Sequence, residues 1–133
     1  MVKSKSGKIL NIASTAAFQP GPLMAVYYAT KAYVLFLGEA LSKELEDTGV
    51  SVTTYCPGAT ESGFQKASQA GSSKLFKSIL VSSESVAKSA IKAMNSKKTL
   101  GIHGFVNWVG VQSVRFLPRK VMVSIVANVQ SKI

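Results

Sequence analysis

Three neighbouring segments decide the fold: KILNIAS at residues 8–14, MAVYYATKAYVLFLGEALSKELED at residues 24–47 and VSVTTYC at residues 50–56. The first is a short apolar run, and the third is rich in β-branched and aromatic residues and stops at Pro57-Gly58, so each predicts a buried strand. The middle segment has apolar residues at helical spacing and ends at Thr48-Gly49, which predicts a long helix. Strand, helix and strand form a βαβ unit, whose strands pair in parallel through a right-handed crossover. The prediction is therefore an α/β fold.

The rest of the chain gives weaker structural signals. Residues 59–82 mix glycine, serine, lysine and isolated large apolar groups, which predicts a mobile, partly helical excursion. A helix capped by Ser82 or Ser83 follows it. Residues 99–103 could form a third strand, and Pro118 splits the tail into two short helices. The sequence thus predicts a sheet of about three strands with flanking helices.

The composition limits the class of protein. The 133 residues are 47% hydrophobic and 17% charged, which is typical of one compact globular domain. Cys56 is the only cysteine, so we expect no internal disulfide and no metal site. No stretch is apolar enough to span a membrane, and the N-terminus leads into Gly7 without the apolar core of a signal peptide. We therefore expect a cytoplasmic protein.

Basic residues dominate the second half of the chain. The formal net charge is +10, and the residues from 65 onward include eleven Lys or Arg against one acid, Glu84. These cations are scattered, and no nucleic-acid recognition module accompanies them. We therefore expect a solvated basic face and no nucleic-acid partner.

The tail, residues 104–133, combines large apolar and basic side chains. They are Trp108, Phe116 and Leu117 with Arg115, Arg119 and Lys120. This mixture is typical of amphipathic segments that lie at a membrane surface. It also fits ordinary docking on the sheet, so peripheral membrane contact and docking both stay open.

Polar side chains gather at one end of the predicted βαβ unit. Ser14 ends the first strand, and Pro57-Gly58 follows the second. Tyr27 and Lys31 lie four residues apart at the start of the helix, so they share a helix face. Ligands of open α/β sheets bind beyond the carboxyl ends of the strands. We therefore expect these residues to line one crevice.

This ordered set resembles the short-chain dehydrogenase/reductase family, in which a serine precedes a Tyr-x-x-x-Lys motif and a strand ending in Pro-Gly follows. Ser14 and Tyr27 have the family's spacing of thirteen residues, and YYATK at residues 27–31 matches the motif. Ser62 stands where the family's Pro-Gly-x-x-x-Thr segment has threonine. The resemblance covers residues 7–103. It implies a Rossmann-like parallel sheet and an NAD- or NADP-dependent oxidoreductase that interconverts alcohols and carbonyls by hydride transfer.

The resemblance also implies individual roles. Tyr27 is the proton donor or acceptor, and Ser14 holds the substrate oxygen in line with it. Lys31 hydrogen-bonds the nicotinamide ribose, and its ammonium favours the phenolate of Tyr27. The implied cofactor-binding residues are Tyr27, Lys31, Pro57, Gly58, Thr60 and Ser62. The substrate would be small and moderately apolar, and Phe64 would line its pocket or pack within a lid.

Four other side chains have simpler explanations. Tyr28 and Tyr33 are expected to be packing residues. Cys56 is expected to be a small buried hydrophobe and not a nucleophile, because no base or helix N-terminus is predicted beside it. His103 is the only histidine, and we expect a structural role for it.

The chain also departs from the family pattern. It has no glycine-rich phosphate loop, and residues 7–14 are similar to the family's fifth strand, so it resembles the C-terminal half of such an enzyme. Residues 1–133 would then be one partial Rossmann-like domain, with a catalytic half at 7–103 and a basic, apolar helical tail at 104–133. The rival hypothesis is a catalytically inactive relic or interaction module. An unpaired edge on the first strand predicts a homo-oligomer or association with a missing N-terminal half.

Overall fold

A computed structural model of the chain describes residues 1–63 and 80–131. The strands are β1 (Gly7–Ile12), β2 (Val50–Cys56), β3 (Thr60–Glu61), β4 (Val81–Ser82) and β5 (Leu100–Ile102). The α-helices are α1 (Ala25–Glu44), α2 (Ser83–Asn95), α3 (Phe105–Ser113) and α4 (Arg119–Gln130). Short 3-10 turns lie at Thr15–Phe18, Glu46–Thr48 and Val114–Phe116. The α/β class is as predicted.

The main sheet is parallel, with β2 between β1 and β5. Gly7 of β1 is opposite Val50 of β2, and Thr54 of β2 is opposite Leu100 of β5. Nearly every residue of β2 is buried, as expected of a parallel strand covered on both faces. Among the described residues β1 pairs only with β2, so the association expected through its outer edge stays a prediction.

Helices cover the sheet on both faces. Successive residues of a strand point to opposite faces, so Tyr55 and Cys56 at the end of β2 identify the helix on each side. Cys56 packs in one cluster with Leu35 of α1, whereas Tyr55 packs in another with Val86 and Ala90 of α2. This three-layer arrangement is Rossmann-like, as the resemblance implies.

The first strand and the long helix both end earlier in the structure than the sequence predicts. β1 ends at Ile12 and not at residue 14, because Oγ of Ser14 accepts the N–H of Ala16 and caps the turn Thr15–Phe18. α1 ends at Glu44, and the last residues of the predicted helix form a separate 3-10 turn before Gly49, whose φ is +78°. The βαβ order itself is confirmed.

Helix α1 lies against β2 through a glycine. A Cβ atom on Gly38 would lie 1.8 Å from Oγ1 of Thr54, a fully buried side chain. That distance is far below any normal contact, so only glycine lets the helix approach the strand this closely.

The outward face of α1 is apolar. The spacing of Tyr33 and Phe36 correctly predicted a helix, yet these side chains are 66% and 65% exposed. Buried residues of α1 are instead Tyr28, Leu35 and Gly38. Tyr28 is therefore a packing residue as expected, and the same expectation for Tyr33 is wrong.

Two short strands were missed by the sequence analysis. β3 and β4 pair in parallel, with Thr60 opposite Val81. Each has two residues, which is too short for the alternating pattern of a strand to show. They lie at the ends of the predicted excursion. Phe64, together with the rest of residues 64–79, lies outside the described residues.

The later elements agree with their sequence signals. Ser82 caps α2, because its Oγ accepts the N–H of Ser85 at 3.3 Å. The third strand forms as β5, and two helices flank Pro118. None of the helices described is long and apolar enough to cross a bilayer.

The last helix docks on the first. Met122 and Val126 of α4 pack in one cluster with Tyr28 and Ala16. Nε2 of Gln130 donates a hydrogen bond to Oη of Tyr28 at 2.5 Å. One face of α4 is therefore anchored to the start of α1.

Candidate active site

Ser14 lies just beyond the carboxyl end of β1, and it is only 8% exposed. The main chain around it is fixed to β2, since Ala13 N–H donates to Tyr55 O at 2.8 Å and Thr15 N–H donates to Pro57 O at 2.9 Å. Its Oγ accepts the N–H of Ala16 at 3.1 Å. Backbone and side chain together hold the hydroxyl in one place.

Lys31 connects α1 to the end of β1. Its Nζ donates to the carbonyl of Ile12 at 3.1 Å and lies 5.8 Å from the centroid of the Tyr27 ring. The predicted i, i+4 pair therefore shares a helix face, and Lys31 is directed towards the strand end that precedes Ser14. An ammonium has three protons, and one of them is hydrogen-bonded to the Ile12 carbonyl.

Tyr27 is held between the helix start and the tail. Its half-buried ring meets the Tyr28 ring edge to face, with centroids 6.0 Å apart. It also packs against the cluster that contains Met122 of α4. Gly21 is required nearby, because a Cβ there would lie 2.2 Å from the Tyr28 ring. Tyr27 thus packs between Tyr28, which the Gly21 turn approaches closely, and the last helix.

The loop after β2 lies beside the segment that contains Ser14. Pro57 is joined to the Ser14 side by its bond to Thr15, and Oγ1 of Thr60 donates to the Gly58 carbonyl at 3.0 Å. Gly58 faces α3, since a Cβ there would lie 2.5 Å from Nδ2 of Asn107. Ser62 follows β3 and is exposed.

The structure places most of the predicted site beyond the carboxyl ends of β1 and β2. Ser14, Lys31 and Pro57 converge there through main-chain and side-chain bonds, and Tyr27 lies beside Lys31. Phe64 is not among the described residues. Within residues 1–63 and 80–131 no three His, Cys, Asp or Glu side chains cluster as a metal site would require.

Sequence reasoning missed two long-range contacts beside the site. One is the bond between Gln130 and Tyr28, which are 102 residues apart. The other joins Oη of Tyr55 to Nδ1 of His103 at 2.9 Å. Burial raises the pKa of Tyr55, so its phenol keeps its proton and can donate it to that nitrogen. This bond fits the structural role expected for His103.

Cys56 packs in one cluster with Ala13, the residue before Ser14. The thiol is fully buried, as the sequence predicts. Burial raises the pKa of the thiol from 9.0 to about 12. The native protein therefore keeps the thiol proton at pH values where the unfolded chain loses it.

The pH dependence of unfolding should reveal this buried thiol. Between pH 9 and 12 the unfolded state binds fewer protons at Cys56 than the native state does, so stability falls as pH rises. From pH 8 to pH 10 we expect the wild type to lose about 1.4 kcal/mol more than Cys56→Ala does. Urea titrations of both proteins at each pH measure the difference. Equal losses in the two proteins would contradict it.

The chain is similar in sequence to known oxidoreductases. A family model described as short chain dehydrogenase matches residues 1–73, more than half of the chain. An uncharacterised oxidoreductase of Staphylococcus epidermidis is 39% identical over 74 residues, which are 56% of this chain and 32% of that protein. A ketoacyl reductase of Nostoc sp. is 33% identical over 100 residues, 74% of this chain and 34% of that protein. The matches thus span about a third of the length of these curated relatives.

A solved structure matches most of the described architecture. A short-chain dehydrogenase from Sphingobium yanoikuyae, in complex with NADPH, is 27% identical and superposes with a TM-score of 0.70. The match covers 86% of this chain and 45% of that one. The parallel sheet and its flanking helices therefore recur in a protein about twice the matched length.

Proposed function

Since the chain belongs to the short-chain dehydrogenase family, we propose that it provides the proton-transfer and nicotinamide-facing side of an NAD- or NADP-dependent oxidoreductase acting between an alcohol and a carbonyl. The observation that carries this proposal is the position of Lys31. Its ammonium lies 5.8 Å from the centroid of the Tyr27 ring and donates to the Ile12 carbonyl at the end of β1, two residues before Ser14. This arrangement supports acid/base chemistry on a substrate oxygen.

Tyr27 is the group that moves the proton. During reduction its phenol donates a proton to the developing alkoxide, and during oxidation its phenolate accepts one from the alcohol. The ammonium of Lys31, 5.8 Å from the ring centroid, stabilises that phenolate electrostatically. Because Lys31 is tied to the Ile12 carbonyl, this charge stays in place through the reaction.

Ser14 holds the substrate oxygen. A serine hydroxyl has one proton and two lone pairs, and the Ala16 N–H occupies one lone pair. The proton then remains for the carbonyl oxygen of a substrate. Burial of Ser14 strengthens such a bond, because water competes weakly for it.

The residues present fit a nicotinamide nucleoside. The remaining Lys31 protons suit ribose hydroxyls, and the backbone of residues 57–62 provides donors and acceptors for a carboxamide. When bound, the nicotinamide would give or take the hydride. We also propose that the substrate is moderately apolar and contacts Phe64. We also propose a reducing, cytoplasmic setting, because the only cysteine is a buried free thiol.

A binding experiment tests this proposal. Reduced nicotinamide mononucleotide carries the half of the coenzyme that these residues would hold, so the chain should bind it and NADPH in fluorescence titrations. Loss of charge-assisted hydrogen bonds in Lys31→Ala should weaken both affinities at least about tenfold. Lys43→Ala, at the exposed far end of α1, is the control and should bind as the wild type does. Binding of neither nucleotide, or no effect of Lys31→Ala, would favour the inactive interaction module.

A further inference from the structure

Helix α3 presents an apolar face to solvent. Phe105 is 77% exposed and Trp108 is 48% exposed, and their rings stack with centroids 6.0 Å apart. Val106 and Val109 share this side of the helix and are 70% and 45% exposed. The opposite side faces the protein through Val111, which is 5% exposed. The stacked pair is therefore directed away from the core.

Exposed apolar side chains continue along the chain after α3. In the turn that follows, Phe116 is 86% exposed and Leu117 is 37% exposed. We call these side chains the α3 patch; it consists of Phe105, Val106, Trp108, Val109, Phe116 and Leu117. So many large apolar groups along a short segment mark an interaction surface and not scattered exposure.

Exposed cations adjoin the α3 patch in the chain. Arg115 precedes Phe116, while Arg119 and Lys120 open α4. Acids do not balance them, because the sequence has no Asp or Glu after Glu84. The two cations of α4 also oppose its macrodipole, and the helix has neither an acidic residue in its first turn nor a side-chain cap. This end of α4 therefore attracts anions.

We propose that the α3 patch docks the protein on an anionic lipid bilayer, with the aromatic groups in the interface and the cations on the headgroups. Tryptophan and phenylalanine suit the boundary between headgroups and acyl chains, and arginine suits anionic headgroups. A second copy is a poorer occupant, because a symmetric contact would bring the unbalanced cations of both copies to one interface. This inference is independent of the proposed oxidoreductase activity.

Trp108 provides a direct readout, since it is the only tryptophan in the chain. Vesicles of phosphatidylcholine with phosphatidylserine should shift its emission to the blue, and brominated phosphatidylcholine in the same vesicles should quench it. Pure phosphatidylcholine vesicles should bind far more weakly. Added salt should weaken the binding, because salt screens the contribution of the cations.

Matched variants test whether vesicle binding depends on the α3 patch and its cations or on any exposed apolar and basic residues. Arg115→Gln with Arg119→Gln should weaken binding about 25-fold, at about fivefold per cation. Phe116→Ser should weaken it roughly tenfold. Phe36→Ser removes an aromatic of similar exposure from α1, and Lys92→Gln with Lys98→Gln removes two exposed cations elsewhere. Both controls should bind as the wild type does.

Several outcomes would overturn the proposal. One is equal binding to neutral and anionic vesicles, and another is an equal loss of affinity in the control variants. A blue shift that follows protein concentration without vesicles would assign the α3 patch to a second copy. Circular dichroism checks that each variant is folded, and the surface substitution of the two arginines keeps the test valid should Phe116→Ser misfold.

Discussion

Under the proposed function, replacing Tyr27 with phenylalanine is expected to lower the rate of alcohol or carbonyl turnover about a thousandfold, because the substrate oxygen would lose its proton partner. The ring remains, so its edge contact with Tyr28 and its packing near Met122 are preserved. The loss should therefore fall mainly on kcat, and the affinity for reduced nicotinamide mononucleotide should fall less than it does in Lys31→Ala. Steady-state kinetics and the fluorescence titration measure the two effects separately.

Two tyrosines of the same helix serve as controls. Tyr33→Phe alters an exposed phenol and should leave kcat unchanged. Tyr28→Phe removes the bond from Gln130, so it should lower the free energy of unfolding by about 1 kcal/mol while changing kcat little. If Tyr27→Phe kept wild-type turnover, the proton would have to come from another group, and the proposed role would be wrong.

Gly38→Ala is expected to lower the free energy of unfolding by about 3 kcal/mol or more. In an exposed helix the same change usually stabilises by up to about 1 kcal/mol, because alanine has the higher helix propensity. Here the new methyl would lie 1.8 Å from Oγ1 of Thr54, so α1 would have to move away from β2. Urea unfolding measures the loss, which is a large share of typical domain stability.

The reason for this loss can be checked with two further substitutions. Gly110→Ala in α3 has no atom within 4 Å of the new Cβ, so it should stabilise the protein by about 0.5–1 kcal/mol. Thr54→Ala removes the colliding atom, and Oγ1 of Thr54 has no hydrogen-bond partner among the described residues. Combining it with Gly38→Ala should recover most of the loss in a double-mutant cycle. Additive effects would show that the close approach is not the cause.

The central βαβ unit could be predicted because its signals are local. Apolar runs, helical spacing and the Pro57-Gly58 stop each act within a few residues of the element that they define. The spacing of Tyr27 and Lys31 likewise placed both on one helix face. The family match and the observed sheet agree with this part of the analysis.

Long-range packing could not be predicted in the same way. Nothing near Tyr33 or Phe36 shows that their face of α1 is exposed, because helical spacing reports periodicity and not the side that the sheet covers. The bond between Gln130 and Tyr28 depends on how α4 folds back, and strands of two residues such as β3 leave no pattern. Tertiary contacts decide these features.

The hydrogen bond between α4 and Tyr28 also sets an order of events during protein synthesis. Its partners are 102 residues apart, and ribosomes add roughly 5–20 residues per second, so about 5–20 s separate their translation. Throughout that interval the nascent chain has the helix with Tyr27 but not the segment that covers the neighbouring ring. A growing polypeptide with this surface uncovered is an expected client for chaperones at the exit tunnel.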